Sequence, residues 1–335
     1  MALTNHKIRV LKSICSILLF IFVISAPVFA GEMIVKKITL GRFAVENNKI
    51  VLSKSDPYWP AINRHNLAID DKGYIYVLNI VNREINVFDD RGKISKKIPL
   101  PIKPFKKELD DYGHLEVSND GKKIFVNIPA TKGFAHERDF VPSSGLAVND
   151  KGEIIRQTGF PEVDIRLCNG TYVFLQGRYI YDNEFRLWKE RFTGFTDSEG
   201  KYDINKQALL KTTRDGKKIW EKKFDGYFFI EGIDKNNYIF ISGRLKKGDP
   251  NSLYKLGAKG NIIAQAPLPT PFPFLTQAER DEWDARPSEE FLSFFKVPCN
   301  GDAYLIYQLG ELPTLTFQRW LKGGEYFIYK FETKK

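Results

Sequence analysis

Three histidines lie beyond the first 30 residues: His65, His114 and His136. Imidazole is a common ligand of zinc and other transition metals, so these three define one candidate metal set. Glu116, Asp164 and Glu231 define a second, because carboxylate oxygens suit calcium. A third group combines aromatic rings with cations. It holds Tyr58, Trp59, Arg64 and His65, then His136 and Arg138, then Trp283 and Arg286. Trp, Tyr and Arg are the residue types enriched at binding hot spots. Motifs of covalent and nucleotide chemistry are missing from the chain. There is no G-x-S-x-G elbow, H-E-x-x-H, phosphate-binding loop or G-x-G-x-x-G, and Ser143-Ser144-Gly145 has no base near it in sequence. Residue types alone therefore favour a binding protein over an enzyme, with no cofactor required and calcium or zinc as the alternative.

The elements that must position these groups announce themselves through their turns. Asp70-Asp71-Lys72-Gly73 and Asp89-Asp90-Arg91-Gly92 are followed by Asn119-Asp120-Gly121 and Asn149-Asp150-Lys151-Gly152, and similar signals continue to Asn300-Gly301-Asp302. Asn, Asp and Gly tolerate the positive φ of tight hairpins. Short apolar, aromatic-rich runs separate the turns, which predicts an array of hairpins of the solenoid or propeller kind. The clearest unit runs from Asn66 to Leu100. Its predicted strands are Leu67–Ile69, Tyr74–Asn79, Glu84–Asp89 and Ile94–Leu100. The third alternates polar and apolar residues as a half-buried strand should. Four antiparallel strands of this kind make one propeller blade.

This unit, LAIDDKGYIYVLNIVNREINVFDDRGKISKKIPL, resembles a repeat of the NHL type and its relatives among six-bladed propellers. It shares their D-x-x-G turn, the YIYV strand, the NVFD strand and the following GK turn. The resemblance covers about 35 residues and implies a fold more than an activity. Some six-bladed lyases of similar fold hold a metal with histidines from separate blades, whereas here all three histidines map to the first two. Calcium-dependent lactonases of another six-bladed family use carboxylate and Asn ligands near inner-strand ends. That comparison would place Glu116, Asp164 and Glu231 along a central channel.

First-hairpin turns at Gly73, Gly121, Gly170, Gly200, Asn236 and Gly301 recur about every 46 residues, the spacing of repeats of roughly 40–50. The expected fold is all-β, a six-bladed β-propeller over residues 31–335. The sixth blade begins at Phe291 and supplies three strands. Met33–Leu40 is expected to complete it and close the ring, which removes exposed sheet edges. An insertion at 267–290 separates blades five and six, with a capping-box start at Thr276 and Glu279 and helical composition to Ala285. In such a topology the tight hairpins share one face. The long segments 55–65, 101–113, 131–142, 245–252, 267–290 and 310–322 share the other, which makes it the working face. The third group of residues and the histidines map there, the histidines as exposed side chains.

Residues 1–30 read as a secretory signal peptide. His6, Lys7, Arg9 and Lys12 precede an apolar run from Ile14 to Val28, and Val28-Phe29-Ala30 is a small-residue cleavage pattern. An uncleaved anchor is the alternative. Cleavage would lower the net charge of +10 by three, since Lys7, Arg9 and Lys12 would leave. Pairs such as Lys96-Lys97 and Lys222-Lys223 read as solvated strand edges. Cys168 and Cys299 would be the only cysteines left. They precede equivalent turns in repeats that are not adjacent, so two buried core thiols are expected rather than a bridge. The sequence reading is thus of a periplasmic or secreted monomer recognising an envelope protein, peptide or glycan. It has no nucleic-acid role and no stable membrane span after cleavage. The alternative is a metal-dependent lactonase or lyase at the channel mouth.

Overall fold

The computed structural model describes residues 31–46, 49–52, 66–79, 83–101, 114–128, 144–157, 165–166, 168, 172–174, 179–181, 187–189, 195–196, 200–205, 207–213, 215–269, 293–307 and 323–334. The chain divides into Met1–Gly31 and Glu32–Lys335, and the strands belong to the second unit. All described secondary structure is β. No described helix is long and apolar enough to cross a membrane. The expected helix near Thr276 lies outside the described residues.

A long strand opens the order, β1 (Gly31–Glu46), and hairpins into β2 (Lys49–Leu52). Four-stranded sheets follow. The first holds β3 (Leu67–Ile69), β4 (Ile75–Asn79), β5 (Glu84–Phe88) and β6 (Ile94–Pro99). The second holds β7 (His114–Val117), β8 (Lys123–Ile128), β9 (Ser144–Asn149) and β10 (Ile154–Gln157). The third comprises β11 (Ile165–Arg166), β12 (Tyr172–Phe174), β13 (Tyr179–Tyr181) and β14 (Leu187–Lys189). The fourth comprises β15 (Phe195–Thr196), β16 (Lys201–Asn205), β17 (Ala208–Thr212) and β18 (Lys218–Lys223). Next come β19 (Phe228–Ile233), β20 (Ile239–Gly243), β21 (Ser252–Leu256) and β22 (Ile262–Pro267). Last are β23 (Ser293–Lys296), β24 (Ala303–Tyr307) and β25 (Gly323–Thr333). Strands β19–β22 and β23–β25 join one nine-stranded sheet through β1, which lies between β22 and β25.

The two ends of this unit therefore pair. Met33 lies opposite Thr333, Val35 opposite Phe331 and Gly41 opposite Tyr326, with a bulge between Thr39 and Gly41. The pairing extends beyond the expected Met33–Leu40, because β1 runs on to Glu46. Met33, Ile38 and Leu40 of β1 are buried, while Ile34 and Val35 stay exposed.

Neighbouring sheets stack face to face, a propeller-like packing. Ala68, Tyr76 and Ile85 of the first meet Leu115, Ile124 and Val148 of the second. Tyr202 and Leu209 of the fourth meet Phe228, Ile241 and Tyr254. Phe240 and Leu253 meet Ala303, Leu305 and Phe331. These contacts bury apolar surface between layers, the dominant favourable contribution to folding. The last layer also reaches the first. A Cβ on Gly73 would lie 3.0 Å from the Tyr304 hydroxyl, and one on Gly92 would collide with the Thr39 carbonyl.

Candidate functional site

The hairpin turns share one local chemistry. Asp70 Oδ1 accepts the amides of Lys72 and Tyr74, each at 2.9 Å. Asp89, Asn149 and Asp234 repeat the pattern two and four residues on. An Asx side chain thus fixes the bend and a positive-φ residue completes it: Gly73, Gly92, Gly152 and, as the non-glycine member, Asn237 with φ 63°.

The first turns at β3–β4, β7–β8, β11–β12, β19–β20 and β23–β24 do a second job. The second residues of these turns, Asp71, Asn119, Cys168, Lys235 and Cys299, meet one another. Asp71 N donates to Asn119 O at 3.0 Å, and Lys235 N to Cys299 O at 3.3 Å. Cys299 N donates to Asp71 Oδ1 at 2.9 Å, and Asn119 Nδ2 to Cys168 O at 3.3 Å. Cys168 and Cys299 form a disulfide, with Cα atoms 5.3 Å apart. The expectation of two unbridged thiols is therefore wrong. It measured separation along the array, but the first turns converge on a common centre, where repeats far apart in sequence touch.

Behind this cluster the first strands carry polar groups. On β7 Glu116 is buried, and Lys296 Nζ on β23 sits 3.4 Å from its Oε2. Their side chains are 3% and 19% exposed. The pair joins the second sheet to β23, the end strand of the nine-stranded sheet. His114, at the start of β7, is 2% exposed and so is not the exposed histidine expected. It lies opposite Asn127 in the β7–β8 ladder.

The opposite end of β19–β21 carries a different cluster. Tyr227 and Phe229 are 50% and 60% exposed, with ring centroids 6.4 Å apart in an edge-to-face arrangement. Arg244 lies over the Tyr227 ring at 5.7 Å. Asn251 Oδ1 accepts from both Tyr227 Oη at 3.0 Å and Arg244 Nε at 3.1 Å. Tyr227 precedes β19, Arg244 follows β20 and Asn251 precedes β21, so all three sit where the long segments attach. Phe229 faces Ser242 in register, and Ser242 Oγ donates to Glu231 Oε1. A bulge between Ile230 and Gly232 re-aims Glu231 toward this hydroxyl. Burial pushes the Glu231 carboxyl up to about 7 although Ser242 opposes the shift. Glu231 as a whole residue is half-buried, and its carboxyl lies within the protein.

Of the sequence-predicted residues, Glu116, Glu231 and His114 are thus placed on first strands. Tyr58, Trp59, Arg64, His65, His136, Arg138, Asp164, Trp283 and Arg286 lie outside the described residues. Among the described residues no three His, Cys, Asp or Glu side chains gather in metal-ligand geometry. Sequence reasoning missed Lys296, Tyr227, Phe229, Arg244 and Asn251. The cue available was Tyr227-Phe228-Phe229, three aromatics in a row where alternation buries one and exposes two.

No protein-family model matches the chain, and no curated protein matches it. Among solved structures it is similar to a member of the DUF4221 family from Bacteroides vulgatus, at 13% identity over 91% of this chain and 99% of that one, TM-score 0.37. It is similar to virginiamycin B lyase from Staphylococcus aureus at 12% identity over 90% and 100%, TM-score 0.35. A putative exported protein from Bacteroides fragilis is similar at 10% identity over 90% and 96%, TM-score 0.41.

Proposed function

We propose that this chain is an exported six-bladed propeller of the NHL kind that binds a protein, peptide or glycan on its loop-bearing end. Dividing the nine-stranded sheet between β22 and β1 yields six units of the same strand order, which supports the count. Export is supported by the basic and apolar leader pattern, and by a disulfide of the kind that persists in oxidising compartments. One observation carries the assignment of the working end. The disulfide and the hydrogen-bonded turns occupy the centre at the hairpin end, so a ligand has access from the other. There the intervals 53–66, 100–113, 129–143, 268–292 and 308–322 separate successive strands. Loops of that length in a compact domain are usually functional or disordered.

The test is retention of envelope components on the immobilised protein. Replacing Tyr58, Trp59, Arg138 and Trp283 together by alanine is expected to lower retention at least about tenfold, since hot-spot residues carry most binding energy. Unchanged retention overturns the assignment.

A second reading, an enzyme working at the channel mouth, draws on Glu231. A carboxyl with a pKa near neutrality suits general acid–base work. Glu116 fits such a role poorly as it stands, because Lys296 already neutralises it.

A further inference from the structure

The cluster at the long-segment end of β19, β20 and β21 has the composition of a saccharide site. We infer that Tyr227, Phe229, Arg244 and Asn251 bind a sugar bearing a carboxylate, the ring lying on Phe229 and the acid on Arg244, which Tyr227 and Asn251 hold in place. This rests on the reading above, that the loop-bearing end is the working one, and gives that end a ligand class.

A pyranose is apolar on its C–H face and ringed by hydroxyls that both donate and accept. The cluster matches each part. Phe229 exposes its ring, with few rotatable bonds to freeze on binding, and Tyr227 meets it edge to face while carrying Arg244 over its own ring. Tyr227 Oη and Arg244 Nε both converge on Asn251 Oδ1, which locks the three side chains before any ligand arrives. Among the described residues, the terminal guanidinium nitrogens of Arg244 and Asn251 Nδ2 have no other hydrogen-bond partner, leaving planar donors for an incoming carboxylate. Charge agrees in sign: exposed Arg244, Lys246 and Lys247 outnumber Asp225 and Asp249 around the rings. An acidic peptide side chain would use the cations but would leave the exposed Phe229 ring uncovered.

The test is a glycan array of uronate- and sialate-containing oligosaccharides, their neutral counterparts and poly-glutamate, probed with the full chain and three variants. Phe229→Ala and Arg244→Ala are expected to lower retention on acidic glycans at least about tenfold, with Tm unchanged because both side chains are exposed. Tyr227→Phe keeps the ring, frees Asn251 and is expected to lose less. Retention of no acidic glycan, equal retention of the neutral counterparts, stronger retention on poly-glutamate, or indifference to F229A and R244A overturns the inference. Should the loop variant lose envelope components while F229A and R244A keep them, the saccharide site fails and the working end stands. If none of the variants changes retention, both fail.

Discussion

At the scale of single residues, buried charge decides more than residue type suggested. Glu116 and Lys296 form an ion pair with little exposure, and removing one partner strands the other. Lys296→Met is expected to cost about 3 kcal/mol and the double change with Glu116→Gln distinctly less, because the uncompensated carboxylate accounts for most of the loss. Chemical denaturation of both single variants and the double one checks this. Glu231 carries the opposite sign of argument. Its folded pKa of about 7 exceeds the ordinary 4.5, so folding opposes its ionisation. The penalty is absent below pH 4.5, grows through pH 4.5–7 and is complete above. Glu231→Gln is therefore expected to raise stability on the order of 3 kcal/mol at pH 8 and hardly at all at pH 4. Urea midpoints at the two values test it, and an equal gain at both would show that the carboxyl is not held neutral.

At the scale of elements, the repeat is a device for stacking sheets, and its glycines show it. Gly121 has φ +74°, and a Cβ there would sit 2.6 Å from Asp70 Oδ2 and 2.7 Å from Tyr76 Oη. Gly216 has φ +88° with nothing within 4 Å. Strain alone thus acts at Gly216, while strain and collision act together at Gly121. Gly216→Ala is expected to cost about 1 kcal/mol and Gly121→Ala about 3 kcal/mol. Thermal unfolding of the two separates a turn requirement from a packing one. The turn requirement was legible, since Asp or Asn followed by Gly states its own dihedral need. The packing requirement was not, because Asp70 and Tyr76 belong to the preceding sheet. The same limit hid three buried lysines on third strands. Lys211, Lys255 and Lys330 lie directly opposite Tyr202, Phe240 and Tyr304, over rings at 5.1, 5.1 and 5.7 Å. In sequence each passes for a solvated charge. Lys96 and Lys97, on the fourth strand β6, are the solvated edge charges expected, with side chains 39% and 49% exposed.

At the scale of the whole molecule, two closures hold the chain. One is the strand pairing of β1 with β25. Deleting residues 31–40 removes Met33, Ile38 and Leu40 from the core and exposes the edge of β25. The expected outcome is loss of cooperative unfolding and aggregation, read by calorimetry and size exclusion. The other is the disulfide, which spans 131 residues of sequence. Constraining so long a loop in the unfolded chain contributes roughly 3–5 kcal/mol. Cys168→Ser with Cys299→Ser is expected to lower Tm by about 5–10 °C, and reducing agent is expected to reproduce the shift in the native chain while leaving the double variant unmoved.

The sequence by itself determined the all-β class, the hairpin boundaries and the pairing of the two ends, and it stated which connections are long. Each follows from local rules: turn chemistry fixes a bend, alternation fixes a buried face, and segment length fixes which connection is long. Only the tertiary structure decided that Cys168 meets Cys299, that Lys296 neutralises Glu116, and that Tyr227, Phe229, Arg244 and Asn251 form one exposed cluster. Those contacts join residues from different strands and sheets. Their distances depend on how neighbouring strands pair and how the layers stack, quantities that no stretch of sequence states on its own.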